Sequence, residues 1–161
     1  MFLPKIDVFK DLRQEAINEI SEIAIEESYQ KDAVLFSAGD PAEHFYILVE
    51  GNVELAVGDA ASSRYAVNRI GESFGWSSVV GRSGYAARAQ CVAPSRILKI
   101  RSSDLEKVFD AHARSGRVFY RRLAEALGQR WVDLHRTFMS ELSEVRPTSY
   151  GSRQTSGTGE D

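Results

Sequence analysis

A chain of 161 residues holds one domain with a sizeable core and is short for two. Hydrophobic residues at 43% and charged residues at 27% exclude a disordered chain, and a net charge of −3 excludes a broad basic footprint for nucleic acid. No apolar run is long enough to span a bilayer, and the opening MFLPKIDVFK mixes charge into its apolar residues, so no membrane association and a cytoplasmic location are expected.

Residues 1–28 read as an N-terminal helical segment. In DLRQEAINEISEIAIEES, residues 11–28, Leu12, Ile17, Ile20, Ile23 and Ala24 fall near helical spacing, with acids on the solvated face. Past Tyr29 the pattern changes to short β-type runs between turn residues, with glycines at 39, 51, 58, 71 and 84. Residues 29–101 therefore predict an antiparallel sandwich or jelly roll. The single cysteine, Cys91, sits among small apolar residues and reads as a buried hydrophobe. Helical character resumes at Ser103, where Glu106 three residues on completes the spelling of a capping box. From about Arg117 to Val145 the apolar residues Leu123, Leu127, Trp131, Leu134, Phe138, Leu142 and Val145 form one stripe. Residues 102–145 are thus C-terminal helices, and the Ser/Thr/Gly-rich tail 146–161 is expected to be disordered. The predicted fold is mainly β, a jelly roll (double-stranded β-helix) with an N-terminal helix and a long C-terminal helix. That helix either folds back over the roll or pairs with a second copy in a twofold dimer, and the a/d-like spacing favours pairing.

Catalytic and metal chemistry find little support. His44, His112 and His135 are isolated from one another, so the paired histidines of a metal-binding roll are missing. There is no Ser-His-Asp arrangement and no glycine-rich nucleoside triphosphate loop. An enzyme is not expected. Arg114, Arg117, Arg121 and Arg122 cluster at the start of the long helix and read as surface charge, because no helix-turn-helix sequence follows them; direct DNA binding is not expected.

Two segments carry a more specific signal. In YQKDAVLFSAGDPAEHFYILVEGNVEL, residues 29–55, the turn Gly39-Asp40, the strand Phe45-Tyr46-Ile47-Leu48 and the hairpin glycine Gly51 follow one another in a characteristic order. The pattern continues through RIGESFGWSSVV into RILKIRSSDLEKVF. In these residues the chain resembles the cyclic nucleotide-binding domain of catabolite activator protein-like bacterial regulators, protein kinase regulatory subunits and gated channels. The resemblance implies the jelly-roll fold and a phosphate-binding cassette that opens F-G-E and is completed by a later arginine. Phe74 and Gly75 match that opening, and Trp76 stands where the glutamate belongs. Counting back from Ala93 puts Ala87 at the arginine position, with Arg88 one place beyond; on an alternating strand Arg88 faces the other way unless a bulge re-aims it. The chain is similar to a bacterial subgroup whose cassette reads F-G-W-S.

Hydrogen bonds to charged groups contribute about 1.5–3 kcal/mol each, so losing two costs about 3–6 kcal/mol, roughly a hundred- to ten-thousand-fold in affinity. The resemblance then implies a stand-alone regulatory sensor domain in which cAMP or cGMP binds weakly or not at all. Another small anion remains possible at the start of the cassette helix, through Ser77 and Ser78. The candidate ligand-binding residues are Phe74, Gly75, Trp76, Ser77, Ser78, Ala87 and Arg88. Trp76 is expected chiefly to fill the space a ligand would leave. The alternatives are a homodimerisation or protein-interaction module with a blocked pocket, or a relative of transcription regulators without their DNA-reading domain.

Overall fold

The computed structural model describes residues 2–59 and 63–145. The predicted tail lies outside the described residues. Eight strands follow one another along the chain: β1 (Ile25–Tyr29), β2 (Val34–Phe36), β3 (His44–Glu50), β4 (Val53–Ala56), β5 (Arg64–Val67), β6 (Ser73–Phe74), β7 (Arg88–Cys91) and β8 (Ser95–Arg101). Two antiparallel four-stranded sheets result, ordered β1-β8-β3-β6 and β2-β7-β4-β5, which is the predicted roll. The hairpin between β3 and β4 turns on Gly51, whose φ of 103° suits only glycine and whose added Cβ would lie 2.3 Å from the Ser95 hydroxyl oxygen.

The helices cover one face of this roll. Two 3-10 turns, Leu3–Lys5 and Asp7–Phe9, precede α1 (Gln14–Ile23), and α2 (Ser102–Ala111) leads into α3 (Ala113–Glu144). β3 explains why the core has two compartments. Phe45, Ile47 and Val49 point toward the helices and join Phe9, Ile20, Phe109 and Phe119, whereas Tyr46 and Leu48 point into the roll with Phe36, Phe74 and Cys91. A strand buried on both faces reads as a continuous apolar run, as His44–Glu50 does. Cys91 is buried as expected, and burial raises its thiol pKa.

Three expectations about local structure are corrected. The helix predicted over 11–28 ends at Ile23, and Ile25–Tyr29 forms an edge strand paired with β8 from Ile25↔Lys99 to Tyr29↔Ser95. The pairing satisfies the backbone of five residues whose apolar spacing no longer serves a helix, and Glu26 meets Arg96 across the strands at 2.8 Å. The capping box at Ser103 does not form: α2 starts one residue earlier, and Ser102 donates both its backbone N–H (2.9 Å) and its hydroxyl (3.0 Å) to the Glu43 carbonyl. The long helix begins at Ala113, and its first half folds back over the roll, burying Phe119 and Leu123. The break between α2 and α3 falls at His112 (φ −123°, ψ 63°), whose ring meets Glu19 of α1 at 2.9 Å.

Candidate functional site

The cassette segment is shaped by Gly75. Its φ is 72°, and a Cβ there would lie 2.7 Å from the Tyr46 ring and 3.1 Å from the His44 carbonyl, so the chain can turn this tightly only at glycine. The next three residues, Trp76–Ser78, form a single 3-10 turn in place of the predicted helix start. Ser78 is buried and turned away, its hydroxyl donating to the Gly75 carbonyl at 2.9 Å. Phe74 is a core residue, stacked on Tyr46 with ring centroids 5.2 Å apart. Of the predicted cassette residues, Gly75, Trp76 and Ser77 line a cavity, and Ala87 joins them from the opposite wall.

Trp76 is fixed from two sides. Its indole N–H donates to the Ser73 hydroxyl at 3.1 Å, and its ring face receives the guanidinium of Arg130, 3.9 Å from the ring centroid. The same guanidinium lies 4.2 Å from the Tyr65 centroid, so Arg130 is sandwiched between two aromatic faces. Its Nη2 donates to Glu72 Oε1 (3.0 Å) and to the Ser73 carbonyl (2.9 Å). Glu72 also accepts from the Tyr65 hydroxyl at 2.6 Å and from the Arg69 N–H at 3.4 Å. Both members of the ion pair are buried, Glu72 to 8% and Arg130 to 9% of full exposure. Burial lowers the Arg130 pKa while Tyr65 and Glu72 oppose the shift, and burial together with the Glu72 hydrogen bond raises that of Tyr65. The arginine comes from the middle of α3, so this network ties the C-terminal helix to the cassette.

The cavity beside it measures about 200 Å³. Aromatic and aliphatic side chains dominate its wall, among them Phe36, Leu55, Tyr85 and Leu134. Tyr85 is stacked on Phe36 at a centroid distance of 3.8 Å, and its hydroxyl donates to the His44 carbonyl at 2.8 Å. Burial raises its pKa, so the phenol is neutral. Arg88 does not reach the cavity: it is exposed on β7 and bonds Gln90 on the same strand face. The β4–β7 pairing runs without irregularity from Val53↔Cys91 to Ala56↔Arg88, so no bulge re-aims it.

A roll of this topology, a turn at Gly75 and a cavity between turn and long helix are now joined by a family match. The model of the cyclic nucleotide-binding domain matches residues 26–112. The chain belongs to that family. A putative cyclic nucleotide-binding protein from Geobacter metallireducens has 26% identity and a TM-score of 0.69, covering 81% of this chain and 98% of its own. A putative potassium channel protein of Rhodopseudomonas palustris is 27% identical over 101 residues, 63% of this chain and 24% of that protein. A Pycsar effector protein of Pseudomonas aeruginosa is 25% identical over 118 residues, 73% of this chain and 37% of that protein. The chain thus spans well under half the length of the curated relatives it matches.

In this cyclic nucleotide-binding domain the sequence reading missed Glu72, Tyr65 and Arg130. The signal for Arg130 was available. Phe119, Leu123, Leu127, Arg130 and Leu134 succeed one another at three- and four-residue steps, so an arginine occupies an inward position of the stripe. Trp131, assigned to that stripe from sequence, is 65% exposed.

Proposed function

We propose that this domain is a regulatory sensor in which occupancy of the cassette cavity is relayed to α3, and that cAMP and cGMP are weak ligands for it. The observation that carries the reading is the seat of Arg130 between Trp76 and Tyr65 and on Glu72. A ligand that moves Trp76 must disturb the stack, and Arg130 passes the disturbance to α3. The hinge at His112 then lets α3 move relative to α2. A ligand shifts such an equilibrium only by its differential affinity for the two positions of the helix. Weak nucleotide binding is a consequence of charge: the one cationic side chain on the cavity wall, among the described residues, is already engaged by a buried carboxylate.

Hydrogen exchange of α3 in the Trp76→Ala variant tests the relay. Protection of the amides around Ala126–Leu134 should fall while that of β3 and β8 is kept. Unchanged α3 protection would mean that cassette and helix are uncoupled, and the sensor reading would fall. Calorimetric titration tests the ligand statement. Wild type should be silent to cAMP and cGMP at about millimolar ligand, a range that sets binding free energy near −4 kcal/mol. The Trp76→Glu, Ala87→Arg double variant restores the family's charges and should gain heat.

A second element of the proposal concerns assembly. Trp131, Phe138, Met139 and Leu142 are exposed along the outer half of α3, as is Val145 just past its end. That run favours a homodimer through the long helix, in which sensor output is a change in dimer geometry or in a surface offered to a protein partner.

A further inference from the structure

We propose that the cassette cavity takes a small, planar, electroneutral aromatic or heteroaromatic molecule of one or two rings, in place of a phosphodiester. The proposal rests on the sensor reading above and names its ligand class.

Three observations lead there. The first is size. A cavity of about 200 Å³ is close to the roughly 150 Å³ apolar site that holds benzene, and below the roughly 300–1,000 Å³ of pockets that enclose drug-sized ligands. The second is chemistry. Phe36, Tyr65, Trp76 and Tyr85 present aromatic rings to the cavity, and Ala86 and Ala87 leave space between them. Rings of this kind stack in offset or edge-to-face geometry on a flat partner. The third is charge. Among the described residues, Arg130 is the only charged residue on the wall, and Glu72 Oε1 and the Ser73 carbonyl hold its Nη2. An entering anion would meet a guanidinium whose charge is already offset by a buried carboxylate, one that also accepts from Tyr65 and Arg69. Arg88, which a sequence count brings within one residue of the cassette cation, is exposed and bonds Gln90 instead. A neutral ring meets none of these costs, and the Ser77 side chain on the wall offers it one hydroxyl.

Indole and indole-3-acetate serve as neutral and anionic probes of the same ring, with cAMP as a third. Amide shifts of the full chain are followed by NMR. Indole should produce saturable shifts at Gly75–Ser77 and Tyr85–Ala87, and indole-3-acetate should bind at least about tenfold more weakly. Ala87→Phe, which fills the cavity from its wall, should abolish the indole shifts; Ala86→Leu provides a second filling variant should the first fail to fold. No saturable indole shift, an unchanged affinity in a folded filling variant, tighter binding of indole-3-acetate or tighter binding of cAMP would each overturn the proposal. Hydrogen exchange of α3 separates it from the sensor reading. Saturable indole binding with α3 protection unchanged supports the ligand class while removing the relay.

Discussion

From Ala113 to Arg130, α3 lies on the roll. Phe119 and Leu123 are fully buried, Gly116 abuts Phe109 of α2, and Arg130 closes over the cassette. From Trp131 on, the same helix leaves Trp131 at 65% exposure and Phe138, Met139 and Leu142 about half exposed, and Val145, just past its end, is at 76%. Composition hardly distinguishes the halves, since both carry aromatics and leucines at helical spacing. What separates them is the roll, which runs out beneath the helix one turn past Arg130. The inner half is part of the fold, and the outer half is apolar surface. A substitution in the first should be read in stability, and one in the second in association.

The largest effect is expected at Arg130. Arg130→Ala leaves buried Glu72 only the exposed Arg69 guanidinium, 3.8 Å away, and stripping the buried partner from such a pair costs about 3–5 kcal/mol. Urea unfolding measures it as a lower midpoint at constant m-value. Arg130→Met combined with Glu72→Gln removes both charges and should recover most of the loss. If the single variant unfolds at the wild-type midpoint, the inner half is not held by this network, and the contrast between the halves loses its main support.

The two glycines of α3 give a smaller and sharper test because one substitution should have opposite signs. A Cβ at Gly116 would lie 2.9 Å from the Phe109 Cβ, so Gly116→Ala forces α2 and α3 apart and should destabilise by about 1–3 kcal/mol. At Gly128 nothing lies within 4 Å, and the position is helical. Gly128→Ala should stabilise by about 0.5–1 kcal/mol, chiefly by restricting the unfolded chain. Thermal unfolding of both variants would read the difference, and equal shifts would mean that α3 does not pack on α2 as described.

The fold was legible because its signals are local. The short continuous apolar run of β3 and glycines at the turns specify strands and hairpins without knowledge of their partners. Two failures have one cause, a partner distant in sequence. Ile25–Tyr29 is a strand because β8 lies beside it, and α2 starts at Ser102 because that residue's N–H and hydroxyl both reach the Glu43 carbonyl. The site was half legible. Gly75, Trp76, Ser77 and Ala87 come together at the cavity, while Phe74 and Ser78 turn into the core and Arg88 faces outward. Arg130 lies 54 positions beyond Trp76, and only a charge on an apolar stripe marked it. The stripe itself merged two faces: Leu127 and Leu134 are partly buried, whereas Trp131 and Phe138 are exposed.

The outer half should be nearly silent in the fold of a single chain. Phe138→Glu with Leu142→Glu changes two exposed residues that touch no core cluster, and surface changes of this kind stay within about 0.5 kcal/mol. Association is where they should act. If two copies pair along this face, each burying roughly 20 Å of helix, two opposed pairs of carboxylates placed in the seam prevent it. Wild type should scatter light as a dimer and melt at a temperature that rises with concentration, because assembly stabilises the folded chain by mass action. The double variant should scatter as a monomer and melt at one temperature throughout. A wild-type chain that is monomeric at every concentration would remove the proposed pairing and leave the apolar outer half to a partner of another kind.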